Sequence, residues 1–328
     1  MNLLTSSDIR IMNKKAILEL LYLNRQSTIR NLEKLSGLSF AAIKSNLEEL
    51  IRDDYVEECE LIPSGGGRPA RSYGFKSKNR TFLQISIHRN SGNVEYSLSL
   101  SDLYGNVIDK KEITDERFSL DTLKSLILSI NKNSKKIIGI SIAAPGVPRD
   151  GVYINNDIDE LIGIDLVGEV FSLTKIKVIL VNDVNAAIFS ISKESDLWGT
   201  VGIYFPMLHN PGAGAIIGGQ IIQGVSGFAG EVGTIPLGIN WITIDYNDRD
   251  VLAGAIIKLL IVYRLTIDPN EYILYGNMFD EELIKKITTK LSTSYDNHQF
   301  KIFFRNEIKQ DIISGLFKIS LTDYLKLR

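Results

Sequence analysis

The stretch from 211 to 236, PGAGAIIGGQIIQGVSGFAGEVGTIP, constrains this chain more than any other part of it. Glycine recurs at 212, 214, 218, 219, 224, 227, 230 and 233, and glycine admits positive φ and close backbone approach, which loops around a small ligand need. The pattern predicts two short buried strands, 214–218 and 220–222, and then a glycine-rich turn around Glu231. A hairpin that merely packs tightly would carry similar spacing, so glycines alone do not choose between the two readings. Gly212 and Gly214 are followed by Ile217 where a dinucleotide fingerprint needs glycine, which excludes that motif.

At the N-terminal end, 8–23 reads as an amphipathic helix with Met12, Ala16, Leu20 and Leu23 on one stripe and Ile17 and Leu21 beside it. Thr28 is placed to cap a second helix that turns Ile29, Leu32 and Leu35 inward and stops at Gly37. A third helix starting at Ser39 buries Ile43, Leu47, Leu50 and Ile51, so helix, short glycine turn and helix follow in the order of a helix-turn-helix. Its solvent face carries Ser39, Phe40, Ala41, Lys44, Ser45 and Glu48, which suits base edges but also an ordinary solvated helical hairpin.

The next segment favours nucleic acid. Strands at 55–62 and 72–75 flank PSGGGRPAR, read as a glycine-rich tip with Arg68 and Arg71 and no nearby acid. Arginine on such a tip suits phosphates or a narrow minor groove, although a mobile surface loop remains the alternative. Residues 1–76 therefore read as a winged helix-turn-helix that binds double-stranded DNA, with KSKNR at 76–80 supplying a polar linker (77–80).

From 81 the pattern changes to three meandering strands (81–87, 93–100, 106–113), a helix (120–130), a strand (136–142), a helix (166–173) and a strand (177–181) running into a helix. Strands at 200–206, 214–218 and 220–222, a helix (249–265), a strand (271–274), a helix (280–291), a strand (300–303) and a helix (308–325) then repeat the plan in shortened form. The fold class is α/β: a winged helix-turn-helix followed by a two-lobed actin-like (ribonuclease H-like) domain, with lobes at 81–193 and 194–328.

The chain's 328 residues and 44% apolar content suit two domains, and a net charge of −2 means that any basic DNA-binding surface is local. Cys59 has no cysteine to pair with, and His88, His209 and His298 show no ligand spacing, so neither a disulfide nor a metal is expected. Charges at Asp8, Arg10, Lys14, Lys15 and Glu19 exclude a signal-peptide core, and no run of 18 apolar residues occurs, which points to the cytoplasm and away from membranes.

The segment GVSGFAGEVG resembles the signature G-x-S-G-x-A-G-E-x-G-H of the ROK family, which groups sugar-responsive repressors with sugar kinases. Ala144-Pro145-Gly146-Val147 and Asn182-Asp183-Val184-Asn185-Ala186-Ala187 match in order upstream, and GGRPAR resembles the wing of ROK repressors, so the resemblance spans nearly the whole chain. It implies a last helix that packs back across the first lobe, Asp183 in the place of the catalytic base, Glu231 as the sugar-binding glutamate, and Asn156 and Asn182 lining the pocket. Two departures from the family's pattern bear on activity. The phosphate motif D-x-G-x-T stands as Ser86-Ile87-His88-Arg89-Asn90-Ser91-Gly92, and G-T-G-x-G-x-G stands as Leu208-His209-Asn210-Pro211-Gly212-Ala213-Gly214. The acid and several glycines are gone, and Pro211 removes a backbone donor. Thr234 replaces the histidine that in the family helps to hold sugar and zinc, and the cysteine-rich zinc segment is missing.

The resemblance thus implies a homodimeric repressor of carbohydrate uptake or catabolism genes. DNA contacts would come from Ser39, Phe40, Ala41, Lys44, Ser45, Arg68 and Arg71, and a sugar effector would meet Asn156, Asn182, Asp183 and Glu231, with no catalytic residue, cofactor or metal. The alternatives are a divergent kinase that phosphorylates a hexose with ATP, Asp183 acting as base, and a pure interaction scaffold.

Overall fold

The computed structural model describes residues 5–64, 67–90, 92–130, 136–192, 199–294 and 301–326. The chain divides into two units, Met1–Arg80 with Leu321–Arg328, and Thr81–Ser320.

In the first unit, α1 (Ser6–Asn24) starts at a capping box in which Thr5 and Asp8 each bond the other's backbone N–H. β1 (Gln26–Thr28) follows, then α2 (Ile29–Ser36), capped by the Thr28 hydroxyl and closed by Gly37 at φ 72°. α3 (Phe40–Arg52) is capped by Ser39. β2 (Val56–Ser64) and β3 (Gly67–Phe75) complete an antiparallel sheet ordered β1-β3-β2. The three-residue β1 was not legible in Gln-Ser-Thr, which has no apolar alternation; it exists because β3 offers a free edge, pairing Gln26 with Gly74 through Thr28 with Ser72.

The buried stripe of α1 is Ile17, Leu18 and Leu21, whereas Met12 and Leu23, expected inside, are 58% and 73% exposed. Leu35 of α2 is likewise exposed. Periodicity allowed either stripe on α1; the buried Leu47, Leu50 and Phe75, together with the Tyr22–Phe75 edge contact at 5.7 Å, select one. Tyr324 belongs to this unit, its ring 5.0 Å from Tyr55 and its hydroxyl accepting from Arg80 Nη1 at 2.5 Å.

In the second unit, β4 (Arg80–Asn90), β5 (Asn93–Asp102) and β6 (Val107–Asp115) form the expected meander, followed by α4 (Leu120–Ile130) and β7 (Lys136–Ala144). The hairpin β8 (Val147–Arg149) and β9 (Val152–Asn155) leads to α5 (Leu166–Thr174), β10 (Val178–Asn182) and α6 (Asp183–Ile191). This first sheet is ordered β10-β7-β4-β5-β6, with β7 and β10 parallel.

The second sheet is built from β11 (Thr200–Tyr204), β12 (Gly212–Ile217), β13 (Gln220–Ile221), β14 (Glu271–Tyr275) and β15 (Lys301–Arg305), ordered β13-β12-β11-β14-β15. α7 (Arg249–Thr266) and α8 (Glu281–Ser294) accompany it, and the last helix is α9 (Lys309–Leu325). Each sheet has its own apolar core. A third cluster joins Val184, Ala187 and Ile188 of α6, Ile273 and Tyr275 of β14, and Ile312 and Leu316 of α9. α9 lies tight against the first lobe: Ser141 Oγ donates to Leu316 O at 3.1 Å, and Phe317 meets Phe82 at 6.0 Å.

Candidate functional site

On the first unit, Ser39, Phe40, Ala41, Lys44, Ser45 and Glu48 are all exposed on α3, around its N-terminal turns. The Ser39 hydroxyl accepts from Ala42 N at 3.3 Å, so it caps α3 and keeps its own proton and one lone pair for a ligand. Opposite that face, Glu49 is buried and paired with Lys14 at 2.6 Å and with Arg10, which fixes α3 on α1.

The wing differs from its expected form. The ladder between β2 and β3 runs from Val56↔Phe75 to Ser64↔Gly67, with register shifts between Cys59 and Ser64, so Arg68, Pro69 and Arg71 lie in β3 and not in a long loop. Those irregularities accommodate Pro69, which has no N–H for a ladder. Gly65, Gly66 and the Arg68 side chain lie outside the described residues. Arg71 does have an acid beside it, contrary to expectation: its Nη1 is 3.0 Å from Glu58 Oε1 across the hairpin. Thirteen positions separate the two in sequence, and only strand pairing brings them together.

In the second unit a cavity of about 280 Å³ opens beyond the carboxyl ends of β7, β10 and β11, where ligands of open α/β sheets bind. It is lined by all four expected residues, Asn156, Asn182, Asp183 and Glu231, and also by Asp157, Tyr204, His88, Arg89, His209 and Lys309. Two glycines, Gly146 in its lining and Gly230 next to the lining residue Glu231, allow the close backbone packing around it. Gly146, at φ 98°, would place a Cβ 2.0 Å from Asn155 O, and Gly230, at φ 109°, would place one 2.0 Å from Ala213 O.

Both asparagines spend much of their side chains on the scaffold. Asn182 caps α6, accepting from Asn185 N at 3.0 Å, and donates to Gly146 O at 3.1 Å. Asn156 donates to Pro145 O and accepts from Ile158 N at 2.7 Å. Each keeps one N–H and one lone pair for a ligand. Asp183 is buried, and Val184 N donates to its Oδ1 at 2.8 Å. Burial pushes its carboxyl up to about 7 against the pull of that N–H, and the charges of Asp157 and Glu231 add to the rise.

Burial and Asp157 also raise Glu231. Asp157 is open to the cavity yet surrounded by protein; burial raises its carboxyl, and His209 and Arg89 pull it back. Asp183, held up to about 7 beside two carboxyls that are themselves raised, can both accept from and donate to hydroxyl groups near neutral pH. Asp157 was missed because nothing in Asn155-Asn156-Asp157 distinguishes a cavity carboxylate from a turn residue. His88, Arg89 and Lys309 were missed because 221 positions separate the outer two.

The positions that resemble phosphate loops are occupied by other interactions. β4 pairs with β5 without a break from Thr81↔Asp102 to Asn90↔Asn93, so residues 86–90 are ladder residues and include no acid. On the second loop Leu208 N donates to the Tyr246 hydroxyl at 3.3 Å and His209 N to Pro206 O at 3.4 Å. Ala213 N donates to Gly230 O at 2.8 Å, and Pro211 has no N–H at all. Few backbone donors remain there to cradle a triphosphate. Among the described residues no group of three or more His, Cys, Asp or Glu is placed to hold a metal ion, and no helix is long and apolar enough to cross a membrane.

Fold and cleft together define the class: a two-sheet α/β domain with a polar, carboxylate-lined cleft, preceded on the chain by a winged helix. Residues 90–251 match the ROK family, and the chain carries a ROK family domain over that span. Over 270 residues it is 25% identical to the xylose repressor of Bacillus subtilis (strain 168), in a match that takes in 77% of this chain and 66% of that protein. The chain thus spans just under two thirds of the length of that relative. A ROK family transcriptional regulator described as a homologue of the E. coli MLC protein superposes with a TM-score of 0.72 at 20% identity, over 97% of this chain and 98% of that one. A ROK family glucokinase from Streptomyces griseus, in complex with glucose and AMPPNP, reaches 0.56 at 14% identity over 73% of this chain and 99% of that one. These matches bear out the family and the two-part fold expected from the sequence.

Proposed function

We propose that this protein is a DNA-binding transcriptional repressor of carbohydrate genes, responsive to a sugar held in the cleft and without phosphoryl-transfer activity. The observation that carries this reading is the union, on one chain, of a capped and exposed helix α3 with a carboxylate-lined cavity whose phosphate-loop positions are tied up internally. The xylose repressor and the ROK transcriptional regulator among its relatives support it.

DNA would be met by Ser39, Phe40, Ala41, Lys44 and Ser45 on α3, with Arg68 and Arg71 of β3 on the backbone or minor groove. The sugar hydroxyls would meet Asn156, Asn182, Asp183 and Glu231. A single winged helix reads a short site, so a homodimer on two half-sites is the expected assembly, and its place is the cytoplasm, with the DNA.

Fluorescence anisotropy with a labelled duplex from upstream of its own gene tests the reading. Selective binding that weakens steeply between about 50 and 200 mM salt is expected. No sequence-selective binding at micromolar protein refutes it.

One observation favours a second reading. Asp183, held up to about 7, has the proton affinity of a general base working at neutral pH. A kinase using that base would release ADP in a coupled assay with a sugar panel and magnesium-ATP. Sustained turnover there would overturn the non-enzymatic part of the proposal.

A further inference from the structure

We propose that the outer stripe of α1 is a contact between two copies of this chain, in which the two α1 helices pack antiparallel about a two-fold axis at Ala16. This rests on the reading of the protein as a homodimer and names a surface that joins the copies.

Two apolar stripes run along α1, and the first unit uses only one. Ile17, Leu18 and Leu21 are buried, and Glu49 of α3 fastens the same side of the helix through Arg10 and, at 2.6 Å, Lys14. The helix therefore cannot roll. Its other stripe, Ile9, Met12, Ala16, Leu20 and Leu23, falls within about 80° of arc round the helix. Ile9, Met12 and Leu23 are 49%, 58% and 73% exposed, and Ala16 and Leu20 are partly exposed. Residues 5–12 are exposed throughout, yet the Thr5–Asp8 capping box starts the helix ahead of them. Large apolar side chains lined up in water mark a contact surface, whereas scattered ones would not.

The order of residues along the stripe selects a second copy as the occupant. Met12 and Leu20 lie four positions either side of Ala16, and Ile9 and Leu23 seven, so the stripe has the same spacing in both directions. A two-fold contact sets one patch against itself. Antiparallel pairing about Ala16 thus places Ile9 opposite Leu23 and Met12 opposite Leu20 of the other copy, with the smallest side chain where the helices cross.

Charge selects the same arrangement. Lys15 and Glu19, partly exposed and 3.4 Å apart, stand on one flank of the stripe. The two-fold axis turns that flank against itself in reverse, so Lys15 of each copy meets Glu19 of the other. A parallel pair would set the flank against Asn13 and Asn24, which offer it no charge.

The stripe is small. Five side chains from each copy bury less than the roughly 800 Å² per partner of a standard interface, so the contact is weak by itself. Two copies held on neighbouring half-sites would make it effective.

Disulfide trapping on the full chain tests this, with Cys59, its only cysteine, changed to serine. Ala16→Cys should give a linked dimer under mild oxidation, because the axis brings the two sulfurs within reach of each other. Leu23→Cys should not, since antiparallel pairing holds the two copies of that position about 21 Å apart along the helices. Lys34→Cys, on the exposed side of α2, controls for random collision. Lys15→Glu and Glu19→Lys, each added to Ala16→Cys, should each lower the yield roughly three- to tenfold as exposed pairs turn to repulsion. An equimolar mixture of those two proteins should recover it as the mixed dimer, which an effect confined to one helix could not do. Circular dichroism checks that every variant folds. Linkage at Leu23→Cys as efficient as at Ala16→Cys overturns the antiparallel pairing. No linkage at Ala16→Cys in a chain that sediments as a dimer overturns the α1 contact and leaves the homodimer reading standing. A chain that is not linked, sediments as a monomer and binds its duplex as one copy overturns both.

Discussion

Replacing Gly315 with alanine should destabilise the second unit, although helix propensity argues the reverse. Gly315 sits inside α9, where alanine is intrinsically better than glycine by roughly 0.5–1 kcal/mol. A Cβ at this position would lie 1.7 Å from Ala186 O and 2.6 Å from Ala186 C, both backbone atoms of α6, where ordinary contact is 3.4–4 Å. No rotamer relieves a clash with backbone, so the two helices must part. Ile312 and Leu316 would then lose contact with Val184, Ala187 and Ile188. Overpacking of this kind costs about 1–3 kcal/mol and at times more.

Set against the propensity gain, the net loss is about 1–2 kcal/mol, or a fall in Tm of roughly 2–8 °C for a unit of this size. Gly254 in α7 is the control, because a Cβ there meets nothing within 4 Å. Gly254→Ala should gain up to about 1 kcal/mol. Urea titration followed by the fluorescence of Trp241, buried in the core of the second sheet, measures both. A Gly315→Ala protein as stable as the parent would refute the claim that α6 and α9 meet backbone to side-chain-free backbone. Because α6 begins at Asp183 and α9 at Lys309, the same variant should also weaken any ligand of the cleft.

The remaining predictions concern charge and capping. Asp183 binds its proton more tightly folded (about 7) than unfolded (3.8), so the parent should lose stability as pH rises through that window and level off above it. Asp183→Asn keeps an acceptor for Val184 N without a charge; its Tm advantage over the parent should grow from pH 4 to 7, and a constant difference would contradict the shift. Ser39→Ala removes the cap on Ala42 N and should cost about 1 kcal/mol of stability in thermal melts. Lys44→Ala should leave stability within about 0.5 kcal/mol. Its signature is weaker DNA binding with a salt slope lower by about 1, and an unchanged slope would exclude a phosphate contact. Arg71→Ala breaks an exposed pair with Glu58, which contributes less than about 1 kcal/mol, so a larger drop in Tm would mean that the pair does more than surface pairs do.

Much of the architecture was legible residue by residue. The caps at Thr28, Gly37 and Ser39, the meander from residue 81, and the strand-to-helix turn at Asn182-Asp183 all rest on preferences that act over a few neighbours, and the structure places each where those preferences put it. The loss of glycine and acid at 86–92 and 208–214 is likewise a property of the chain as written. Short-range sterics and hydrogen bonding need no partner from elsewhere, so they can be read without a fold.

Packing settled the rest. The stripe through Met12 and Leu23 was the one expected inside α1, and the surface offered by α3 and β3 chose the neighbouring one through Ile17 and Leu21. Arg71 met Glu58 only once β2 and β3 were in register. Asn156 and Asn182 proved to hold the loop after β7 as well as line the cavity, while His88 and Lys309 joined them from distant segments. Contacts of this kind depend on how two sheets and α9 converge, and their energies are set by burial and by charges brought close across long sequence separations. Nothing in the local order of residues encodes those distances, and the three-dimensional arrangement alone creates them.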